Sequence, residues 1–127
     1  CGIEVIIIMP HIPDKWYAFA VAQTYYEELI SAGVQIYEYT PGFVHAKVFV
    51  SDNDTATVGT INLDYRSLYH HFECGTFIYN NPVVWEIERD FQNTLKACQK
   101  ITMLDVKARR IGMKMVGRVL RLIAPLM

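Results

Sequence analysis

Between residues 45 and 62 the chain reads HAKVFVSDNDTATVGTIN, an apolar stretch into which one histidine, one lysine and two aspartates are set. If residues 43–50 form a strand, His45, Lys47 and Phe49 share one face, and Val44, Ala46, Val48 and Val50 share the other. The aliphatic set suits a core. A lysine buried without an anion is costly, so Lys47 must face water or meet an anion. A polar turn at 51–54 and a returning strand at 55–60 bring Gly59, Thr60 and Asn62 back toward His45. Glycine lets backbones approach closely, and Thr60 and Asn62 offer hydrogen bonds. An imidazole, an ammonium, a hydroxyl and an amide on one spot make half of a phosphate site. Histidine can attack phosphorus or move protons near neutral pH, and lysine supplies a compact charge for phosphoryl oxygens.

The elements that must hold these groups can be read on either side. IEVIIIM at 3–9 suits a strand covered on both faces. Asp14, after a Pro-rich breaker, is placed to cap a helix over 15–32 that Gly33 ends. Residues 34–39 then form a second strand, giving a βαβ unit with a parallel pair. Residues 64–71 read as a short helix or loop and 73–79 as a strand. A helix from Pro82 to about Lys100 carries Val84, Ile87, Phe91, Leu95 and Cys98 on one stripe. Thr102 and Asp105 have capping-box spacing and open a last helix. The fold class is α/β, a mixed β-sheet flanked by helices, with a body at 1–104 and a C-terminal basic amphipathic segment at 105–127.

With 127 residues, 52% hydrophobic and 20% charged, disorder is excluded and one core is affordable. The net charge of −1 hides an asymmetry: residues 1–104 carry −6 and residues 105–127 carry +5. Projected at about 100° per residue, Lys107, Arg110, Lys114, Arg118 and Arg121 fall in a narrow arc. Leu104, Ile111, Met115, Val119, Leu122, Ile123 and Leu126 lie opposite, a composition that fits an interfacial helix meeting anionic lipid over residues 107–126. The alternative is a C-terminal helix that packs its apolar face on the body. Cys1, Cys74 and Cys98 show no metal-ligand spacing and suit a reduced, intracellular setting. His70 and His71 are adjacent and lack a supporting carboxylate pair, so no metal site is expected. No run is long and apolar enough to span a bilayer, and a start at Cys-Gly-Ile-Glu suggests a piece of a longer chain.

H-x-K alone fits an ordinary edge strand with polar groups turned outward. The full string H-x-K-x4-D-x6-G-[ST]-x-N fixes six positions, met by His45, Lys47, Asp52, Gly59, Thr60 and Asn62, and chance does not readily produce it. It resembles the signature of the phospholipase D superfamily, in which serine is commoner at the position of Thr60. The stretches IIIMPHIPDK, YYEELISAGVQIYEYTPGF, VGTINLDYRSLYHHFECG and the ending RLIAPLM extend the likeness. Together they resemble the second, C-terminal catalytic half of bacterial cardiolipin synthases over essentially the whole chain.

The resemblance implies a phospholipase D-like half-domain whose site is completed by a second HxK motif. One histidine forms a phosphohistidine, and the other serves the departing and incoming alcohols. In a cardiolipin synthase, two phosphatidylglycerol molecules give cardiolipin and glycerol without a metal or cofactor. It further implies catalytic roles for His45, Lys47 and Asn62, with His45 assigned acid/base work rather than nucleophilic attack. Glu73 is implied as a carboxylate beside the pocket, bonded to Nδ1 of His45, and its neighbours Phe72 and Cys74-Gly75 suggest burial. Asp52 is read as structural, tying down its turn, with Gly59 and Thr60 as motif positions and Arg66 as a candidate substrate contact.

Only one HxK motif is present, so the partner is the N-terminal half of the same longer chain, and the isolated piece is expected to be inactive. The surface left open predicts homodimerisation of the isolated piece. The expected setting is the cell membrane, peripheral on the cytoplasmic side. Competing readings are a phospholipid hydrolase, a homodimeric single-motif nuclease and a noncatalytic phosphate-binding module. The acidic body argues against nucleic acid as a partner, and the intact signature argues against the noncatalytic module.

Overall fold

The computed structural model describes residues 2–109 and 111–126; the side chains of 111–114 and 126 lie outside that description, and so does Arg110. The chain divides into two compact units. One contains Cys1–Val44 and Ala97–Pro125, the other His45–Lys96.

In the first unit, β1 (Ile6–Pro10) and β2 (Gln35–Tyr39) run parallel, with Ile7 opposite Ile36 and Pro10 opposite Tyr39. The βαβ unit is present, but β1 starts three residues later than expected. Its crossover is not one helix: α1 (Trp16–Thr24) stops and α2 (Tyr26–Ser31) restarts. The break has a local cause. Thr24 Oγ1 donates back to the Val21 carbonyl at 2.6 Å, and Tyr25 N bonds to Ala22 O, three residues back rather than four. No side chain caps α1, so the expectation for Asp14 is not met. Gly33, at φ +95°, ends α2 as expected, in a conformation that favours glycine.

The predicted helix from Pro82 to Lys100 is shorter than its stripe suggested. Helix α3 (Val83–Leu95) ends, and Cys98–Ile101 becomes β6, antiparallel to β2 with Ile101 opposite Ile36. Tertiary pairing beside β2 overrides the helical spacing here, because it lets both isoleucines bury: Ile36 is 1% exposed and Ile101 5%. Tyr26 and Val106 complete this core, flanked by Met9, Leu29, Ile30 and Val34. Helix α4 (Met103–Ala108) opens with the expected capping box, Thr102 and Asp105 each bonding the other's backbone N–H.

Glu38 on β2 is buried within this unit. It accepts from Arg109 Nη2 at 2.8 Å and Tyr26 OH at 3.2 Å, and its Oε2 is 2.9 Å from His11 Nδ1. Arg109 also lies over the Tyr26 ring, 5.0 Å from its centroid. Burial, reinforced by the Glu38 charge, drives the Tyr26 hydroxyl far above the ordinary phenol range. Helix α5 (Ile111–Ile123) packs along α1. Arg121, expected in a lipid-facing stripe, instead reaches Glu28 at 2.9 Å.

The α/β class is as expected and the β1–β2–β6 sheet is mixed, while the second unit adds a separate, all-antiparallel three-stranded sheet. Strands β3 (Val48–Ser51), β4 (Thr55–Gly59) and β5 (Gly75–Tyr79) lie side by side in that order. Their register places Val50, Ala56 and Ile78 in one row and Phe49, Thr57 and Phe77 in another. Ala56 and Val84 of α3 are fully buried in this unit. The aliphatic set of the first strand is less covered than expected: Val48 is 38% exposed.

Removing the Glu38 charge leaves Arg109 largely buried without its anion. Glu38→Gln is therefore expected to lower unfolding stability by about 3 kcal/mol, read from urea melts; a loss below about 1 kcal/mol would contradict this account.

Candidate active site

His45 and Lys47 lie just ahead of β3, and the ladder reaches back to them through Gly59 N, which donates to the Lys47 carbonyl at 3.2 Å. Lys47 Nζ donates to the His45 carbonyl oxygen at 2.7 Å and stands 2.7 Å from Nδ1 and 2.9 Å from Nε2 of the same residue. The Lys47 ammonium thus stands directly against the His45 ring.

The hairpin turn aims the second half of the motif at the first. Asp52 and Asn53 have φ of 51° and 59°, and Asp54 N closes on Ser51 O at 3.2 Å. Asn and Asp tolerate this left-handed conformation better than most residues. Asp52 thus occupies the turn, accepting from Ser51 Oγ at 3.2 Å, at the opposite end of β3 from Lys47. The returning strand carries Gly59, Thr60 and Asn62 to a shallow, open depression of about 260 Å³, which His45 and Lys47 also line.

Gly59 is required by contact. A Cβ there would stand 2.3 Å from the Cys74 carbonyl oxygen and 2.6 Å from Gly75 Cα. That approach lets Thr60 meet residue 74: Thr60 N donates to Cys74 O at 2.9 Å, and Cys74 N donates to Thr60 Oγ1 at 3.1 Å. The Thr60 hydroxyl donates to Glu73 Oε2.

Glu73 takes hydrogen bonds from the Thr60 and Ser67 hydroxyls, and these, with the charges of His71 and Lys47, hold its carboxyl below the usual glutamate range. The expectation placed this carboxylate on Nδ1 of His45. Here Nδ1 has Lys47 Nζ at 2.7 Å, and Glu73 reaches the depression through Thr60. Its neighbours Phe72 and Cys74 are exposed, and Glu73 itself is only half-buried.

Ser67 was missed by sequence reasoning. It is 8% exposed, accepts from Asn62 Nδ2 at 3.4 Å, and donates to Glu73, so it ties a motif residue to the carboxylate. Its own backbone N–H donates to Asp64 Oδ1 at 2.7 Å, and the Asp64-x-x-Ser67 spacing was the available signal. Ser67 sits in a π-helical turn, Arg66–His70. Arg66 Nε donates to His71 Nε2 at 2.8 Å, and neither Arg66 nor Glu73 lines the depression. Among the described residues no cluster of His, Cys, Asp and Glu has the makings of a metal site.

Residues 1–95 match the family described as cardiolipin synthase, PLD-like domain. The chain belongs to this family. A protein of Streptococcus mutans described as uncharacterized is 53% identical over 126 residues, covering 99% of this chain and 27% of its own length. A cardiolipin synthase of Clostridium perfringens is 40% identical, with 99% and 26% covered. Cardiolipin synthase 2 of Bacillus anthracis is 38% identical, with 99% and 24% covered. The chain thus spans about a quarter of the length of these curated relatives. No solved structure matches. In this PLD-like domain His45, Lys47, Gly59, Thr60 and Asn62 converge on one depression, while Asp52 stands apart in the turn.

Two outcomes test this arrangement. Gly59→Ala must part β4 from β5, and is expected to cost about 1–3 kcal/mol in urea melts, with faster exchange of the Thr60 amide. Because the ionised form of Glu73 is the bonded one, its bonds contribute stability above the unfolded glutamate pKa and lose it as pH falls through the lowered value. Carboxyl NMR should show Glu73 titrating below a free glutamate, and Thr60→Val should move that midpoint upward. An unmoved midpoint would deny Thr60 its role.

Proposed function

We propose that this chain supplies one of two HxK centres of an enzyme that transfers a phosphatidyl group between two phosphatidylglycerol molecules, giving cardiolipin and glycerol. The observation that carries the reading is the gathering of His45, Lys47, Thr60 and Asn62 around one open depression, in a chain of the cardiolipin synthase PLD-like family. The depression is half a site: it has one imidazole where a two-step displacement needs two. The second comes from the N-terminal half of the same longer chain, which the relatives' fourfold greater length accommodates.

In the first step one imidazole attacks the phosphorus of phosphatidylglycerol. An N–P bond forms, the P–O bond to glycerol breaks, and the other imidazole protonates the departing glycerol oxygen. That same imidazole then takes the proton of a glycerol hydroxyl on a second phosphatidylglycerol. The freed oxygen attacks phosphorus, the N–P bond breaks, and cardiolipin leaves with both imidazoles restored. His45 takes the acid/base part, and the phosphohistidine forms on the other half. Lys47 and the Asn62 amide meet the phosphoryl oxygens. Glu73 and Ser67 hold Thr60 and Asn62 from behind.

The surface that would receive the other half is the sheet face shared by Lys47, Phe49 and Phe77. Phe77 is 69% exposed and Tyr79 on the same face 67%. In the isolated piece this face is expected to drive homodimerisation.

The test joins this chain to its upstream half and follows lipid products on phosphatidylglycerol vesicles. Cardiolipin and glycerol are expected, and His45→Ala should lower their rate roughly 100-fold or more. Phosphate-labelled intermediate that still forms in His45→Ala would place His45 in the acid/base role; its absence would make His45 the nucleophile. Phosphatidic acid alone would make the protein a hydrolase, and no lipid product from a folded complex would return the nuclease reading.

A further inference from the structure

Helix α5 is held to α1 by its smallest residue. Gly117 packs so closely that an added Cβ would stand 2.7 Å from the Ala20 carbonyl oxygen and 2.8 Å from Thr24 Cγ2. One turn later, Arg121 lies over the Tyr25 ring, 3.9 Å from its centroid, and grips both carboxylate oxygens of Glu28 at 2.9 and 3.1 Å. Ala124, just past the helix, is buried on the same side. Residues 117, 121 and 124 make one helical stripe, so these contacts fix the rotation of α5 about its axis.

That rotation turns the apolar stripe outward. Met115 is 64% exposed, Val119 66% and Leu122 81%, with Val116 and Ile123 beside them. A surface helix ordinarily turns such a stripe toward the core. Arg118 is exposed at the edge of the stripe, and no acidic residue follows Asp105. The two helices run in the same direction, Gly117 against Ala20 and Arg121 against Tyr25, so Trp16, 61% exposed at the start of α1, stands at the same end as the first turn of α5.

We infer that this face of α5, with Trp16 at one end, lies flat on an anionic phospholipid bilayer. The choice of phospholipid rests on the phosphatidyl-transfer reading, whereas the position of the face does not. A 13-residue helix is roughly 20 Å long and 10 Å wide. One face of it offers on the order of 200 Å², against about 800 Å² per partner in a stable protein interface. A bilayer needs no matching partner surface. It accepts separate apolar side chains, is attracted by basic residues at their edge, and favours an indole at the headgroup level.

Flotation with vesicles of phosphatidylglycerol and phosphatidylcholine in equal parts tests the inference. The chain should float with the lipid, and Val119→Asp combined with Leu122→Asp should cut its partition roughly tenfold or more. Both side chains are exposed, so the thermal melt should be unchanged. Independently, brominated acyl chains should quench a part of the fluorescence that Trp16→Phe removes. A double variant that floats like the parent, or no quenching of Trp16, overturns the inference. So does a double variant that instead lowers the mass seen by light scattering, which would assign the face to a second copy. Binding is read without turnover, so lipid binding in a chain that transfers no phosphatidyl group would fault the reaction alone.

Discussion

The candidate site depends on one close backbone crossing, where Gly59 lies against Cys74 and Gly75. Three separate segments are joined there by two main-chain hydrogen bonds, Gly59 N to Lys47 O and Thr60 N to Cys74 O, and by one from Cys74 N to the Thr60 hydroxyl. No side chain larger than hydrogen fits between them. Every functional group at the depression is referenced to this crossing. Lys47 comes from one side of it, Thr60 and Asn62 continue from it, and Glu73 approaches from the other side. The chemistry rests on side chains, but their mutual positions are a backbone property.

The two units place charge differently. Glu38 in the first is enclosed, with a guanidinium, a phenol and an imidazole around it. Such a cluster is costly to disturb and is suited to fixing β2, α2 and α4 in one arrangement. Glu73 in the second is only half-buried and is held by hydroxyls. Hydroxyl bonds favour the carboxylate while leaving its surroundings accessible to a ligand. A buried pair would do the opposite.

Much of this was legible in the sequence. The βαβ pair, the β3–β4 hairpin, the Gly33 stop and the Thr102–Asp105 cap each follow from local signals that tertiary contacts do not oppose. The convergence of His45 with Asn62 follows from hairpin geometry alone. What was not legible depended on distant partners. Strand β6 looked like the end of α3 because Cys98 continues the helical stripe, and only the edge of β2 makes a strand preferable. The break at Tyr25 turns on a single hydroxyl, that of Thr24, bonding its own helix. Ser67 lay in a stretch with no strong periodicity, and its importance comes from a carboxylate six residues on and an amide five residues back. For α5 the composition was readable but the rotation was not, because a glycine records nothing about which face it presents.

In the phospholipase D signature that residues 45–62 resemble, serine is the commoner residue at the position of Thr60, and threonine there changes the site's entropy. A serine hydroxyl can turn freely among three staggered positions. Threonine's extra methyl restricts rotation about the Cα–Cβ bond and leaves fewer wells to choose from. With Glu73, Cys74 N and Cys74 O all around the Thr60 hydroxyl, its orientation is settled when the chain folds. On the proposed function, nothing at this position then has to be frozen when a phosphoryl group arrives, so the ordering is complete before the ligand is met.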